Sequence, residues 1–306
     1  MQNGYYRAAW DDIKSSPHWI STIILLSLIL LISVAGPIFV ASYSLNWARD
    51  IAWGVREPMP KEIFISQPRY YLCGFFSVVI FVVLGLLPFV LHAGSDFFAG
   101  LAAIPTAPQA SVLAFPAWQS ALFTIAGVLA LVCEIGAWVA FFFVFITAWV
   151  GTVRMRIYER LSAGFQFTRI WSMIRHDFQG IFIIFGMTLL LGVIGIFAIN
   201  AIFLGCISGI LGESFIVQDL NTFLVAVVQA IYDASYFGGW AAVVLAAIIF
   251  AEAVWFSFLA ILCTRALGYW VQGFDVAQWR GSEDPMPFEL AEAARAVARE
   301  KERADL

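Results

Sequence analysis

Charged residues are scarce in this chain: they make up only 12% of its 306 residues, whereas hydrophobic residues make up 62%. A soluble domain carries about 25% charged and about 45–50% apolar residues, so the polar surface here is too small to keep such a chain in water. The net charge of −4 is also too small to indicate a nucleic-acid partner. The composition therefore predicts a polytopic membrane protein.

Motifs that carry chemistry are missing as well. The four cysteines form no CxxC pair and the three histidines are scattered, so the sequence predicts no disulfide framework and no metal site. No Gly-x-Ser-x-Gly, His-Glu-x-x-His or glycine-rich phosphate loop occurs. We therefore expect a protein that is not an enzyme, without catalytic residues and without a cofactor.

What the sequence does contain is long uncharged runs. A helix needs about 20 apolar residues to cross a hydrocarbon core of about 30 Å, and lipid offers the backbone no other hydrogen-bond partner. The runs predict an all-α transmembrane bundle, forming a single membrane domain over 1–275, with a charged cytoplasmic helical tail over 276–306. The five hydrophobic segments lie at about 18–48, 70–91, 118–150, 178–211 and 237–264.

The basic residues predict the orientation of the bundle. All 17 Lys and Arg residues lie before residue 15, in 49–69, in 154–175 or after residue 264. The connections 92–117 and 212–236 contain none. Because basic loops stay in the cytoplasm, we predict that 49–69, 151–178 and the C-terminus are cytoplasmic and that the other two connections are external.

The first segment, 18–48, contains a helix break at Gly36 and Pro37. One alternative is a kinked single span with the N-terminus outside. The other is a broken or re-entrant segment, which we favour because basic residues flank both of its ends.

Short amphipathic helices are predicted before the first and fourth segments, where Trp10-x-x-Ile13-Lys14 is echoed by Trp171-x-x-Ile174-Arg175. This echo suggests a weak two-fold repeat whose halves meet near residue 150. In the second helix, Phe167, Ile170, Trp171, Ile174 and Phe178 share one face, which is typical of a helix at the membrane interface. The alternative is a helix packed on the protein itself. The residues predicted to face lipid, with a preference for anionic lipid, or a partner are Arg154, Arg156, Arg160, Arg169, Trp171 and Arg175.

Three polar residues lie inside hydrophobic segments: Glu134, Asn200 and Glu252. Buried carboxylates are costly in lipid and must find a partner or a cavity. They indicate either a proton or substrate relay or, as we favour, hydrogen bonds between helices, for which Asn200 is the nearest partner of Glu252. Gly205 and Gly209 form a GxxxG motif, which allows close helix packing within the chain or in a homo-oligomer.

The motifs resemble a family of prokaryotic multipass membrane proteins catalogued as domain of unknown function 4013 (DUF4013). The resemblance rests on the Gly36-Pro37 break, Ala48-Arg49-Asp50 with Pro58-Met59-Pro60, and Ala163-Gly164-Phe165-Gln166-Phe167. It implies a location in a prokaryotic plasma membrane and supplies no activity. Two functions remain open: a non-enzymatic membrane protein that organises or accompanies partners, or a small transporter or permease subunit with a path near Glu252.

Overall fold

The computed structural model describes residues 4–32, 35–63, 68–104, 117–211, 220–237 and 239–276, together with Arg295. Within these ranges the chain is helical and has no strand, which confirms the predicted all-α fold class. A short 3₁₀ helix, Leu161–Phe165, precedes the sixth α-helix. The α-helices are α1 Tyr5–Ser15, α2 Trp19–Leu30, α3 Ala35–Ala52, α4 Pro68–Ala103, α5 Ala117–Tyr158, α6 Phe167–His176, α7 Phe178–Leu211, α8 Leu220–Phe237 and α9 Gly239–Gln272.

Within the described ranges, four helices are long and apolar enough to cross a membrane, as the predicted multipass membrane protein requires. These candidate spans are Tyr70–Ala103, Trp118–Tyr158, Phe178–Gly209 and Gly239–Gln272. The helices exceed most of the predicted segments, since α4 has 36 residues and α5 has 42. At 1.5 Å per residue they measure about 54 and 63 Å, so their ends extend beyond a hydrocarbon core about 30 Å thick.

The first hydrophobic segment folds back on itself as a hairpin. It is broken into α2, of 12 residues, and α3, of 18 residues. Ser16, before α2, accepts a 2.8 Å hydrogen bond from the backbone N–H of Met59, after α3. Placed end to end, the two helices would measure about 45 Å, whereas residues 53–59 reach back at most about 25 Å even when fully extended. The two ends of the segment therefore lie close together, which excludes one extended helix over 18–48 and confirms that the segment is broken.

The break itself depends on Gly36 and Pro37. A Cβ atom on Gly36 would overlap the backbone of Ile29 and Leu30, so only glycine allows α3 to start this close to the end of α2. Pro37 lies in the first turn of α3, where its missing N–H costs no helical hydrogen bond. The two residues thus turn the chain sharply without leaving an interior helix bond broken.

A buried arginine fastens α1 to α3 and α9. Arg265 of α9 is fully buried; its Nε donates to Asp12 Oδ2 at 2.8 Å and its Nη1 donates to the Trp47 carbonyl at 2.6 Å. The Tyr269 hydroxyl donates to the same carboxylate oxygen of Asp12 at 2.7 Å. The guanidinium also lies 4.1 Å from the centre of the Trp47 ring, which is cation–π geometry. This cluster holds α1, which meets α2 at 100°, against the C-terminal parts of α3 and α9.

Contacts divide the chain into two compact units. Unit 1 comprises Met1–Phe75, Arg156–Glu159 and Met173–Leu306, and unit 2 comprises Phe76–Met155 and Arg160–Ser172. Because unit 1 contains both ends of the chain, the units do not follow two halves that meet near residue 150. The two-fold repeat stays a prediction.

Within unit 1, α7 and α9 are antiparallel neighbours. The Thr188 hydroxyl donates to Cys263 Sγ at 2.9 Å. Further along, the indole of Trp255 lies against Gly195, where it would overlap any Cβ atom. As the residue number rises along α7, the number of its partner on α9 falls.

One predicted connection contains a helix, and the predicted C-terminal tail lies outside the described residues. The connection 212–236 contains α8, whose Ala226 and Ala230 are buried with Phe203, Ile207 and Ala241. A search for apolar runs of about 20 residues does not detect α8, because α8 has only 18 residues and includes Asp233. The predicted helical tail, 276–306, lies outside the described residues except for Val276 and Arg295.

Candidate functional site

The structure brings Asn200 and Glu252 together. Asn200 is buried on α7, and its Nδ2 donates to Glu252 Oε1 of α9 at 2.8 Å and to the Ile196 carbonyl at 3.0 Å. A carboxylate in a membrane span is thereby hydrogen-bonded to the adjacent helix. Such a bond stabilises the packing of α7 on α9 by about 0.6–2 kcal/mol.

Glu252 points away from α3. Arg265 contacts α1 and α3 and follows Glu252 by 13 residues. At 100° per residue the two side chains are about 220° apart around the axis of α9. The side of α9 that carries Glu252 is therefore the side that packs on α7. Helix α3, which contacts Arg265 and Gly268, lies on the other side of α9 from Glu252.

Glu134 has different partners in unit 2. Its Oε2 lies 2.9 Å from His92 Nδ1 of α4, and its Oε1 accepts a 2.8 Å hydrogen bond from the Trp138 indole. Glu134 lies about 20 residues before Arg154, and His92 lies about 23 residues after Arg69, which is about 30–35 Å in both cases. The two helices therefore carry this polar pair about one hydrocarbon thickness from their basic ends.

Two arginines that the sequence assigns to a lipid- or partner-facing surface are internal, and this assignment is wrong. Arg154 is fully buried, and its Nη2 donates to Gln166 Oε1 at 2.8 Å. Arg156, with 12% of its side chain exposed, pairs with Glu159 at 3.1 Å and donates to the Asn46 amide oxygen. These long side chains find polar partners within their own units, which the sequence alone does not reveal.

Glu159 holds a second small network at the end of α5. It adopts the left-handed conformation with φ 55°, which ends the helix and lets its carboxylate bind two arginines. Besides Arg156, it pairs with Arg49 at 3.3 Å. Asp50 lies next to Arg49, and burial, followed by the nearby charge of Glu57, raises the pKa of the Asp50 carboxyl.

The helix α6 divides its apolar residues between two neighbouring faces. Ile170, Met173 and Ile174 are buried against the protein. Phe167 and Trp171 are 51% and 46% exposed, which corrects the prediction that all five apolar residues share one lipid face. One side of this helix packs on the protein and the neighbouring side is exposed, and a membrane interface for the exposed side stays a prediction.

The exposed side of α6 forms a continuous stripe. Phe167, Trp171 and Arg175 follow one another at intervals of four residues and are all exposed; we call these three residues the α6 stripe. Arg169, on the opposite side of the helix, is half-buried. Arg160, exposed beside the 3₁₀ helix, and Arg175 have no ion-pair partner within the described part of the chain.

The GxxxG residues Gly205 and Gly209 lie in open positions. Among the described residues, no atom comes within 4 Å of a Cβ built on either glycine. The close helix approach within the chain occurs instead at Gly74 and Gly268, both of which pack on α3, and at Gly195. A role of Gly205 and Gly209 in a homo-oligomer stays a prediction.

The ion pair between Arg265 and Asp12 is not predicted by the sequence analysis, in which Arg265 only marks the end of a hydrophobic segment. The signal that could have predicted this ion pair is the presence of a basic residue, Arg265, at the end of a long apolar segment and of an acid, Asp12, in an amphipathic helix. The described residues contain no group of three or more His, Cys, Asp or Glu side chains that could hold a metal ion.

Comparison with known proteins identifies a family without describing an activity. Residues 25–205 match the model of a family described as protein of unknown function, DUF4013, which confirms the resemblance seen in the motifs. No curated protein and no solved structure matches the chain. The roles of its residues must therefore be argued from its own geometry.

Proposed function

The chain belongs to the DUF4013 family of proteins of unknown function, and from its own residues we propose that it is a non-enzymatic integral membrane protein that organises or accompanies partners. The observation that carries this proposal is the α6 stripe, in which two large aromatic side chains and an arginine are presented at the surface. Exposed aromatic residues next to a basic residue are the side chains that most often dominate binding surfaces.

The polar residues in the spans support the same proposal. Asn200 and Glu252 bond to each other, and Glu134 bonds to His92 and Trp138. These bonds use the carboxylates for contacts between or along helices, so these residues have partners within the chain.

A photoreactive residue at position 171 tests this proposal. We expect benzoylphenylalanine in place of Trp171 to form an adduct with another membrane component when intact membranes are irradiated. The matched control is the same residue in place of Ile174, which is three positions away on α6 and buried. Adducts at neither position, or at both equally, would contradict a binding role for the stripe.

A small transporter or permease subunit is the second candidate, and its supporting observation is a carboxylate, Glu252, within a candidate span. We expect Glu252→Gln to be tolerated, because glutamine keeps the hydrogen bond to Asn200. Glu252→Lys places a cation among apolar neighbours at a cost of about 3 kcal/mol or more and should lower the yield of folded protein. Loss of a measured transport activity in folded Glu252→Gln protein would favour the transporter instead.

A further inference from the structure

The helix α6 lies next to the start of a membrane span. It ends at His176, and α7 begins at Phe178 as one of the four candidate spans. Phe178 and Phe182, in the first turns of α7, are 48% and 47% exposed, as expected of side chains that face lipid. Chain connectivity therefore holds α6 within a few residues of the bilayer surface.

The side chains of the α6 stripe match the chemistry of that surface. Indole and phenyl rings favour the headgroup level of a bilayer, where their apolar area is covered and the indole N–H stays hydrated. The stripe ends in the exposed guanidinium of Arg175, four residues from Trp171. A row of two aromatic residues and one cation fits an acyl–headgroup boundary that carries negative charge.

The charge of the surrounding segment points to the same ligand. Residues 159–177 contain three arginines and two acids, Glu159 and Asp177. Both acids have other partners, since Glu159 pairs with Arg49 and Arg156 and Asp177 accepts hydrogen bonds from the Tyr5 hydroxyl and the Gly180 backbone N–H. Among these arginines, Arg160 and Arg175 are exposed and have no ion-pair partner in the described part of the chain. Each such charge near an anionic membrane contributes about a fivefold gain in affinity, and this gain decays over a Debye length of about 8–10 Å.

The helix α1 provides an internal comparison. It is also a short amphipathic helix before a membrane segment, but its exposed Arg7 and Lys14 flank an exposed acid, Asp11. Its apolar residues Ala9 and Ile13 are fully buried. Its Trp10 packs on Trp19 and Phe258. A basic residue on α1 therefore lacks an exposed aromatic neighbour and lies near an exposed acid.

We propose that the α6 stripe binds the anionic phospholipids of the bilayer in which α7 is embedded. This inference rests on the proposed function and names its partner as lipid. Free phosphate would pair with Arg175 but would gain nothing from Phe167 and Trp171. A lipid occupies both parts of the stripe at once, because its headgroup and its acyl boundary are adjacent.

The experiment uses the full-length chain in nanodiscs of phosphatidylcholine, with increasing fractions of phosphatidylglycerol. Amide hydrogen exchange of residues 160–178 is followed by mass spectrometry. We expect phosphatidylglycerol to slow the exchange at low salt, and high salt to remove most of this additional protection. Protection in phosphatidylcholine alone should persist at high salt, because it comes from the aromatic rings.

Two variants and one matched control separate the contributions. Arg175→Gln should raise the phosphatidylglycerol fraction that gives half-maximal protection by about fivefold. Trp171→Ala should weaken protection in both lipid compositions. Arg7→Gln, with the same change of charge on α1, should leave the exchange of residues 160–178 unchanged.

Equal protection in neutral and anionic nanodiscs at low salt would overturn the lipid inference, as would an effect of Arg7→Gln as large as that of Arg175→Gln. The photoreactive residue at position 171 separates this failure from failure of the proposed function. A protein adduct without a lipid adduct would refute the lipid inference and leave the proposed function standing. No adduct of either kind would refute both.

Discussion

The buried ion pair between Asp12 and Arg265 should dominate the stability of the N-terminal part of unit 1. Arg265 is completely buried, and its Nη2 lies 2.6 Å from Asp12 Oδ2, in addition to the bonds from Nε and Nη1. The Asp12 side chain is 22% exposed. The pair joins α1 to α9, and Arg265 also bonds to α3, so loss of the pair should weaken the packing of α1 and α3 on α9.

The expected magnitude follows from which charge remains. Removing one partner of a buried ion pair costs about 3–5 kcal/mol, because the other charge is left without compensation. Asp12→Asn leaves the fully buried Arg265 guanidinium without a counter-charge and should cost about 5 kcal/mol. Arg265→Gln leaves a carboxylate that is partly hydrated and should cost about 3 kcal/mol. The double variant leaves neither charge, so its cost should fall below the sum by about 2–3 kcal/mol.

These costs can be measured as free energies of unfolding in mixed micelles, with a denaturing detergent as titrant and circular dichroism as readout. Arg49→Gln is the matched control, since the Arg49–Glu159 pair is 32% and 48% exposed and should contribute at most about 1 kcal/mol. Strictly additive costs for the two single variants would refute direct coupling. An Asp12→Asn cost no larger than that of the control would refute the energetic argument as a whole.

Three further predictions test the fold. Single cysteines that replace Lys14 and Glu57, in a background without native cysteines, should react with an impermeant thiol reagent from the same side of the membrane. Reaction from opposite sides would contradict the hairpin. Gly268→Val should destabilise the protein by about 1–3 kcal/mol in the same titration, because its Cβ would lie 2.6 Å from a carbonyl oxygen of α3, whereas Gly205→Ala should be nearly neutral. Burial raises the pKa of Asp50 above its ordinary value, so the folded state binds the proton more tightly than the unfolded state does. The stability contributed by this group should therefore decline as pH rises from the ordinary pKa through the raised one. Asp50→Asn should reduce this decline in a pH series of unfolding free energies, and an unchanged pH dependence would count against the shift.

The number of spans and the break in the first segment were predictable because they depend on local properties. Long uncharged runs satisfy the length and hydrogen-bond requirements of a membrane helix regardless of what surrounds them. Gly36 and Pro37 interrupt a helix through their own covalent geometry. Helix α8 was missed by the same reasoning, because an apolar helix of 18 residues with Asp233 in its last turns falls below a threshold set for a full span.

The fate of each polar side chain was not predictable from sequence. Arg154, Arg156 and Arg175 have the same chemistry and lie within one basic stretch, yet the first two are internal and only the third is exposed on the α6 stripe. Burial of an arginine depends on whether a carboxylate, amide or carbonyl from another element lies within reach of a side chain about 6–7 Å long. That proximity is set by helix packing.

By itself, therefore, the sequence determined that the chain is a multipass helical membrane protein of the DUF4013 family with a broken first segment, since hydrophobic length and backbone chemistry act over a few turns of one helix. Only the tertiary structure decided that this segment folds back on itself and that Glu252 bonds to α7. The bond between Ser16 and Met59 and the bond between Asn200 and Glu252 join residues about 40–50 positions apart. Such contacts depend on the rotation and register of packed helices, which hydrophobic length does not specify.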